Sequence, residues 1–395
     1  MGGGPRTGFD VAVVGAGIVG AACALACARR GLSVVVLERQ SVASGTTGAG
    51  EGNLLLSDKL PGPELDLGLL SNRLWTELAE RLPPRYGGFE WEPKGGLVVA
   101  RTAAGLAALH RTARAQAAAG VEGHLAGPDR LSELEPLLSP ELAGGVEYPQ
   151  DRQVQPARAA AVLLRAARAE GAQVRTWTPV VGFRTGPGGA LAAVLTAAGQ
   201  VAAGAVVNAA GVWAGELAGL AAAPVPVSPR RGFVLVTEPV PPLVRHKVYA
   251  AEYLGDVAGD GAGLQASAVV EGTASGPVLI GATRELVGFD PRIEPEAVRR
   301  LALGAIELFP VLAGVRAIRV YRGYRPFSPD HLPLIGPDPR APWLVHAHGH
   351  EGAGVGLAPG TGQLVAEILA GQPPSLDLRP FDPGRFDPGR VNHAD

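Results

Sequence analysis

Three glycines at 15, 17 and 20, in the run GAGIVG, carry the clearest chemical signal in the chain. They follow the apolar run FDVAVV and open an alanine-rich stretch that reaches Arg30. Gly15 permits a tight turn. Gly17 lets a pyrophosphate approach the backbone, and Gly20 lets a helix lie close on a strand. Ile18 and Val19 fall where unpaired N–H groups and the positive end of a helix meet an anion. Glu38 closes the next apolar run and is placed to accept hydrogen bonds from a ribose diol, with Arg39 beside it. An acid there disfavours a 2′-phosphate, and therefore NADP. The motif alone does not choose between FAD and NAD.

Other segments carry residue types suited to contact with the same ligand. Residues 41–53 read SVASGTTGAGEGN, too polar and glycine-rich for a helix or strand. The expectation is a loop along a second cofactor segment, with Thr46 and Thr47 reaching phosphates and Gly50, Gly52 and Asn53 allowing close approach. A buried strand over 201–209 enters a second glycine turn at Ala210 and Gly211. Trp213 there either packs on a ring system or fills the core. Cys23 and Cys27 lie four apart, on one face of the first helix, and read as small core residues. Nothing suggests a disulfide framework, so a reducing compartment fits. The tract HAHGH holds His346, His348 and His350, but the third begins a turn, and no metal site is expected.

These residues need a large scaffold. The chain has 395 residues, 47% of them apolar and 18% charged, enough for two or three folded domains. A net charge of -2 offers no global field for a nucleic-acid backbone. No charged segment followed by a signal-like apolar core opens the chain, and no membrane span is expected. A cytoplasmic protein follows, with peripheral association at the inner membrane face compatible. Leucine spacing predicts a helix over 65–81. A hairpin is expected over 89–101, helices over 102–119 and 129–138, and another from 156 to 170. A second hairpin pairs 180–183 with 191–196. Short strand-like runs from 231 to 280 predict an antiparallel sheet, followed by a helix over 291–308 and strands over 315–321 and 344–347. A final helix covers 362–369. The ending FDPGRFDPGR reads as a tail.

Six motifs in order, GAGIVG, GTTGAGEGN (45–53), VVNAAGVWA (206–214), GATRELVGFD (281–290), YRGYRPFSPDHLPLIG (321–336) and GHEGAGVGLAPGTG (349–362), resemble the D-amino-acid-oxidase and glycine-oxidase superfamily. The nearest likeness is to the flavoprotein subunit of opine oxidases, D-hydroxyproline dehydrogenases and hydrogen-cyanide synthases. The resemblance implies an α/β fold: a Rossmann-like FAD-binding domain (9–82, 146–225 and 326–375) interleaved with a substrate domain (83–145 and 226–325) built on an antiparallel sheet flanked by helices. Residues 376–395 would be tail. FAD is the implied cofactor. The implied reaction oxidises the C–N bond of an amino acid or secondary amine, of D-amino-acid, glycine, sarcosine, hydroxyproline or opine type. Hydride passes from the α-carbon to flavin N5, and the imine hydrolyses. Electrons then go to oxygen or to a partner, and a hetero-oligomer with small redox subunits is implied. An RNA-modifying flavoprotein and a non-enzymatic dinucleotide-binding protein are the rival classes.

The resemblance also distributes roles. Arg325, in GYRP, matches the carboxylate-binding arginine, whose planar fork clasps a carboxylate. Tyr249 and Tyr253 are candidates to cover substrate, on one strand face if their segment stays extended. Gly349, His350, Glu351, Gly352, Ala353 and Gly354 would receive the isoalloxazine, with Val180 on the cofactor wall. His350 is then a pocket wall before it is a base. Glu351 and Arg284 would shape the active site or a subunit contact.

Overall fold

The computed structural model describes residues 8–82, 84–257, 261 and 263–387. A six-stranded sheet runs in the order Leu334–Asp338, Ala341–His348, Ala203–Asn208, Phe9–Val14, Val34–Leu37, Gln173–Arg175. All neighbours are parallel except the Leu334–Asp338 edge, which is antiparallel. Val11–Val14 and Val34–Leu37 are buried throughout, as continuous apolar runs in a doubly covered sheet must be. The helices Ile18–Arg29, Pro156–Ala169 and Gly354–Leu369 pack with one face in a single core that includes Cys23 and Cys27. A three-stranded antiparallel sheet, Val180–Thr185, Leu191–Thr196 and Gly199–Val201, packs with the opposite face.

The second layer is an eight-stranded sheet. Its order is Ala317–Phe327, Ser228–Thr237, Val278–Arg284, Gln265–Gly272, Lys247–Ala250, Gly96–Ala100, Gly144–Tyr148, His124–Ala126. Only Lys247–Ala250 and Gly96–Ala100 run parallel. Alternation divides its side chains. Val270 and Ile280 pack with Ala297, Leu301 and Ala305 of the helix Pro295–Leu308, whereas Val269 and Ala282 pack with Tyr249 and Tyr253 on the other side.

Several expectations change. The hairpin over 89–101 does not form. Only Gly96–Ala100 is a strand, paired with two distant strands, while Phe89 packs against Trp75 and Trp91. The strand Gly144–Tyr148 belongs to the eight-stranded sheet, so the crossing between layers follows Tyr148 rather than residue 146. The described part of the tail is packed: Phe381 is 1% exposed in the main core, and Arg385 pairs with Asp330.

The last helix starts at Gly354, eight residues before the expected start, and takes in most of the glycine stretch. Pro359 cannot donate to the carbonyl of Val355. The indole N–H of Trp75 donates to that carbonyl instead, at 3.1 Å. The Gly360 N–H donates to Ser71 Oγ at 2.9 Å. Side chains from Pro63–Arg81 thus repair the interrupted ladder. Gly362 is bare because a Cβ there would stand 2.7 Å from the backbone of Ala22.

Candidate active site

A cleft of about 380 Å³ opens between the C-terminal ends of the parallel strands and the eight-stranded sheet. Gly15, Gly17, Ile18 and Val19 line one end. Thr47 Oγ1 accepts from the Ile18 N–H at 3.0 Å, so this threonine sits at the helix start. Thr46 lines the cleft too, and its hydroxyl donates to the Tyr324 carbonyl at 2.6 Å, which ties the loop to the strand Ala317–Phe327. The Glu38 carboxylate accepts from the Ala16 and Gln40 N–H groups, each at 2.8 Å, and keeps lone pairs for a diol. Trp213 lines the cleft, with the Arg39 guanidinium 3.7 Å from its ring centroid and Phe289 stacked at 5.7 Å. Gly50, Asn53, Val180, Ala210, Gly211, His350, Glu351, Gly352 and Gly354 also line it.

Four residues expected at the cofactor do not line the cleft: Gly20, Gly52, Gly349 and Ala353. Gly20 packs on the Gly15 turn. Gly52 lies against the backbone of Val154, and its N–H donates to Glu271 at 3.2 Å. Gly349 makes a positive-φ turn beside Leu334, and Ala353 caps the last helix.

At the far end stands Arg325, half-buried, its Nη1 donating to the Thr283 carbonyl at 2.7 Å. Removal from water, and then the nearby Arg284, bring its pKa down to about 10, so it remains charged at neutral pH. No carboxylate among the described residues pairs with it. The neighbouring Tyr324 donates its hydroxyl to the Asp290 carbonyl instead.

The two tyrosines part company. Tyr249 lies on the strand Lys247–Ala250, fully buried, with its hydroxyl 2.6 Å from Ser57 Oγ, and does not line the cleft. Tyr253 lies in the helix Glu252–Val257 and does. The extended segment that would place both on one face is broken by that helix, although the rings touch at 5.0 Å.

His350 is buried, and its Nε2–H donates to Thr361 Oγ1 at 2.9 Å, because that hydroxyl is itself committed to the Leu357 carbonyl. Burial holds its pKa down to about 3, so the ring is neutral. Glu351 binds His331 at 2.8 Å and Arg230 at 3.3 Å. No group of three His, Cys, Asp or Glu among the described residues fits a metal ion.

Sequence reasoning missed Glu51 and His348. The Glu51 side chain lines the cleft, 3.4 Å from Lys247 Nζ, which also binds Glu271 at 2.5 Å. Burial pushes its carboxyl up. His348 belongs to a chain: Asp338 accepts from His346 Nε2–H at 3.1 Å, and His346 Nδ1 meets His348 Nε2 at 2.8 Å. The aspartate fixes both tautomers, so His348 Nδ1 presents a lone pair. That atom and Asn53 Oδ1 are buried acceptors with no donor among the described residues, and both residues line the cleft. A cofactor bearing hydroxyls and a ring N–H would satisfy them. With the helix start and Glu38, the residues fit FAD.

Fold and cleft together define a dinucleotide-binding α/β protein whose cleft reaches from a glycine turn to a half-buried arginine. The family described as FAD dependent oxidoreductase, DAO, matches residues 10–368. Glycine oxidase from Geobacillus kaustophilus (strain HTA426) is 32% identical over 94% of this chain and 96% of its own. The hydrogen cyanide synthase subunit HcnC of Pseudomonas aeruginosa is 28% identical over 96% of this chain and 97% of its own. The crystal structure of glycine oxidase from Geobacillus kaustophilus superimposes with a TM-score of 0.85 at 30% identity, covering 95% of this chain and 98% of that one. The chain belongs to the DAO family of FAD-dependent oxidoreductases.

Proposed function

We propose that the chain oxidises the C–N bond of a small amino acid or secondary amine, with Arg325 holding the substrate carboxylate. The observation that carries this reading is the charged Arg325, without a carboxylate partner among the described residues, at the end of the cleft opposite the phosphate-binding turn. Bound FAD supplies a two-electron oxidant. Gly15, Gly17, Ile18 and Thr47 would hold its pyrophosphate, Glu38 its ribose, and Asn53, His348 and the turn from His350 its flavin end. Arg325 fixes the carboxylate, and so aims the α-carbon. Positive charge from Arg325 disfavours an ammonium beside it and favours the neutral amine that can be oxidised. The substrate loses a hydride equivalent and a proton, and the imine takes up water to give a carbonyl and a free amine.

Anaerobic flavin bleaching tests this. Purified protein is expected to be yellow and to bleach with at least one of glycine, sarcosine, a D-amino acid, a hydroxyproline or an opine. Bound flavin that none of them bleaches would overturn the reading. Reoxidation by air, or only by a dye or partner subunit, then identifies the electron acceptor. The membrane question has a structural side as well: among the described residues, no helix is long and apolar enough to cross a membrane.

His350 has no proton to exchange near neutrality. Its pKa lies near 3, so it contributes no inflection between about pH 5 and 9. His350→Asn is expected to keep every limb of the wild-type pH profile for flavin reduction. Disappearance of an ionisation near 6.5 in the variant would restore the histidine as a catalytic base.

A further inference from the structure

We propose that the substrate carries two acidic groups and that Arg284 recognises the second. This rests on the amine-oxidising function above and narrows its substrate class. Arg284 ends the strand Val278–Arg284, two residues after Ala282, which lines the cleft; alternation puts both side chains on one face. It is 3% exposed. Its guanidinium lies 4.6 Å from the ring centroid of Tyr253, the tyrosine that lines the cleft, and its Nη1 has no hydrogen-bond partner among the described residues.

Other buried cations nearby are paired. Arg231 binds Glu285 and Asp290 at 2.8 and 3.1 Å, Lys247 binds Glu271, and Arg230 binds Glu351. Arg325 and Arg284 lack a carboxylate among the described residues. Burying an ion is costly, and a cation–π contact offsets only part of that cost. An anion brought by the ligand closes that gap. Two such guanidiniums in one place call for two anions. Arg325 and Arg230 are register partners across adjacent strands, Arg284 is in register with Gln265, and Arg230 donates to Gln265 Oε1 at 2.8 Å. The three arginines therefore gather beside one end of the cleft: Arg325 lines it, and Arg284 stands just outside the lining, against the ring of Tyr253. A monoacid such as glycine satisfies Arg325 and leaves Arg284 bare. An N-carboxyalkyl amino acid, or an amino acid with an acidic side chain, satisfies both.

The test uses the full FAD-loaded chain and two unreactive ethers, oxydiacetate with two carboxylates and methoxyacetate with one, titrated by flavin absorbance. Oxydiacetate is expected to bind about tenfold tighter or better, the scale of one charge-assisted pair. Arg284→Gln should bring the ratio of the two dissociation constants close to one, and Arg284→Lys should keep part of it. A wild-type ratio near one overturns the proposal, as does a ratio that Arg284→Gln leaves unchanged. If amines bleach the flavin and the ratio is near one, only the two-acid reading falls. If neither ether binds and no amine bleaches the flavin, the amine-oxidising function falls too.

Discussion

Arg325→Ala is expected to lower kcat/KM for a carboxylate-bearing amine by roughly 10²-fold or more, the usual cost of truncating one side of a buried charge pair. FAD should stay bound, since the phosphate-binding turn, Glu38 and the last helix are untouched. The effect is large because Arg284 and Arg230, the neighbouring guanidiniums, do not themselves line the cleft. The one hydrogen bond that Arg325 makes among the described residues goes to the Thr283 carbonyl, which fixes its aim without neutralising it. Arg325→Lys should recover only part of the loss, because a point charge lacks the two parallel donors. Arg322, exposed three residues earlier on the same strand, faces away by alternation and makes the control. Steady-state rates with an amino acid and with its decarboxylated amine decide the matter. Equal losses on both substrates would mean that Arg325 does not hold the carboxylate.

Residues close in sequence made the nucleotide end of the cleft legible. Strand, glycine turn, helix, strand and acid lie within the first 38 positions, and each local pattern agrees with its neighbours. The substrate end was legible only in part. Arg325 was found through the GYRP motif, but Arg230 and Glu51 carry no local signal, because their partners lie on other strands and loops. Tyr253 lines the cleft and Tyr249 does not, because the four-residue spacing places both on one face only in an extended chain, whereas a helix begins at Glu252. The false hairpin over 89–101 has the same origin. Glycine and proline suggested a turn, but Gly96–Ala100 finds its partners at 144–148 and 247–250. The bare stretch near the C-terminus, expected as a turn before a helix at 362, is mostly the helix itself. Its glycines answer to helices packed against it as much as to a ligand.

Gly20→Ala is expected to yield protein that purifies largely without flavin. A Cβ at position 20 would stand 2.0 Å from the Gly15 carbonyl oxygen and 3.0 Å from its carbon. Both are backbone atoms, and the turn is held from two sides. The Gly15 N–H donates to the Leu37 carbonyl at 2.9 Å, and the Ala209 N–H donates to the Val14 carbonyl at 3.0 Å. Gly15 itself sits at a φ of 110°, with its missing Cβ aimed at the Ala209 carbonyl. Relief must therefore come from the helix moving off the strand, which carries the N–H groups of Ile18 and Val19 away from the pyrophosphate. Overpacking of this kind costs about 1–3 kcal/mol. Charged to the binding-competent conformation, that weakens FAD by roughly 10- to 100-fold. Flavin-to-protein ratio after purification, and titration of apoprotein with FAD, measure it directly. Gly219→Ala, with open space around the new methyl, should keep its flavin. Wild-type flavin content in Gly20→Ala would show that the helix start does not set FAD affinity, and the pyrophosphate would then have to be held by the 41–53 loop alone.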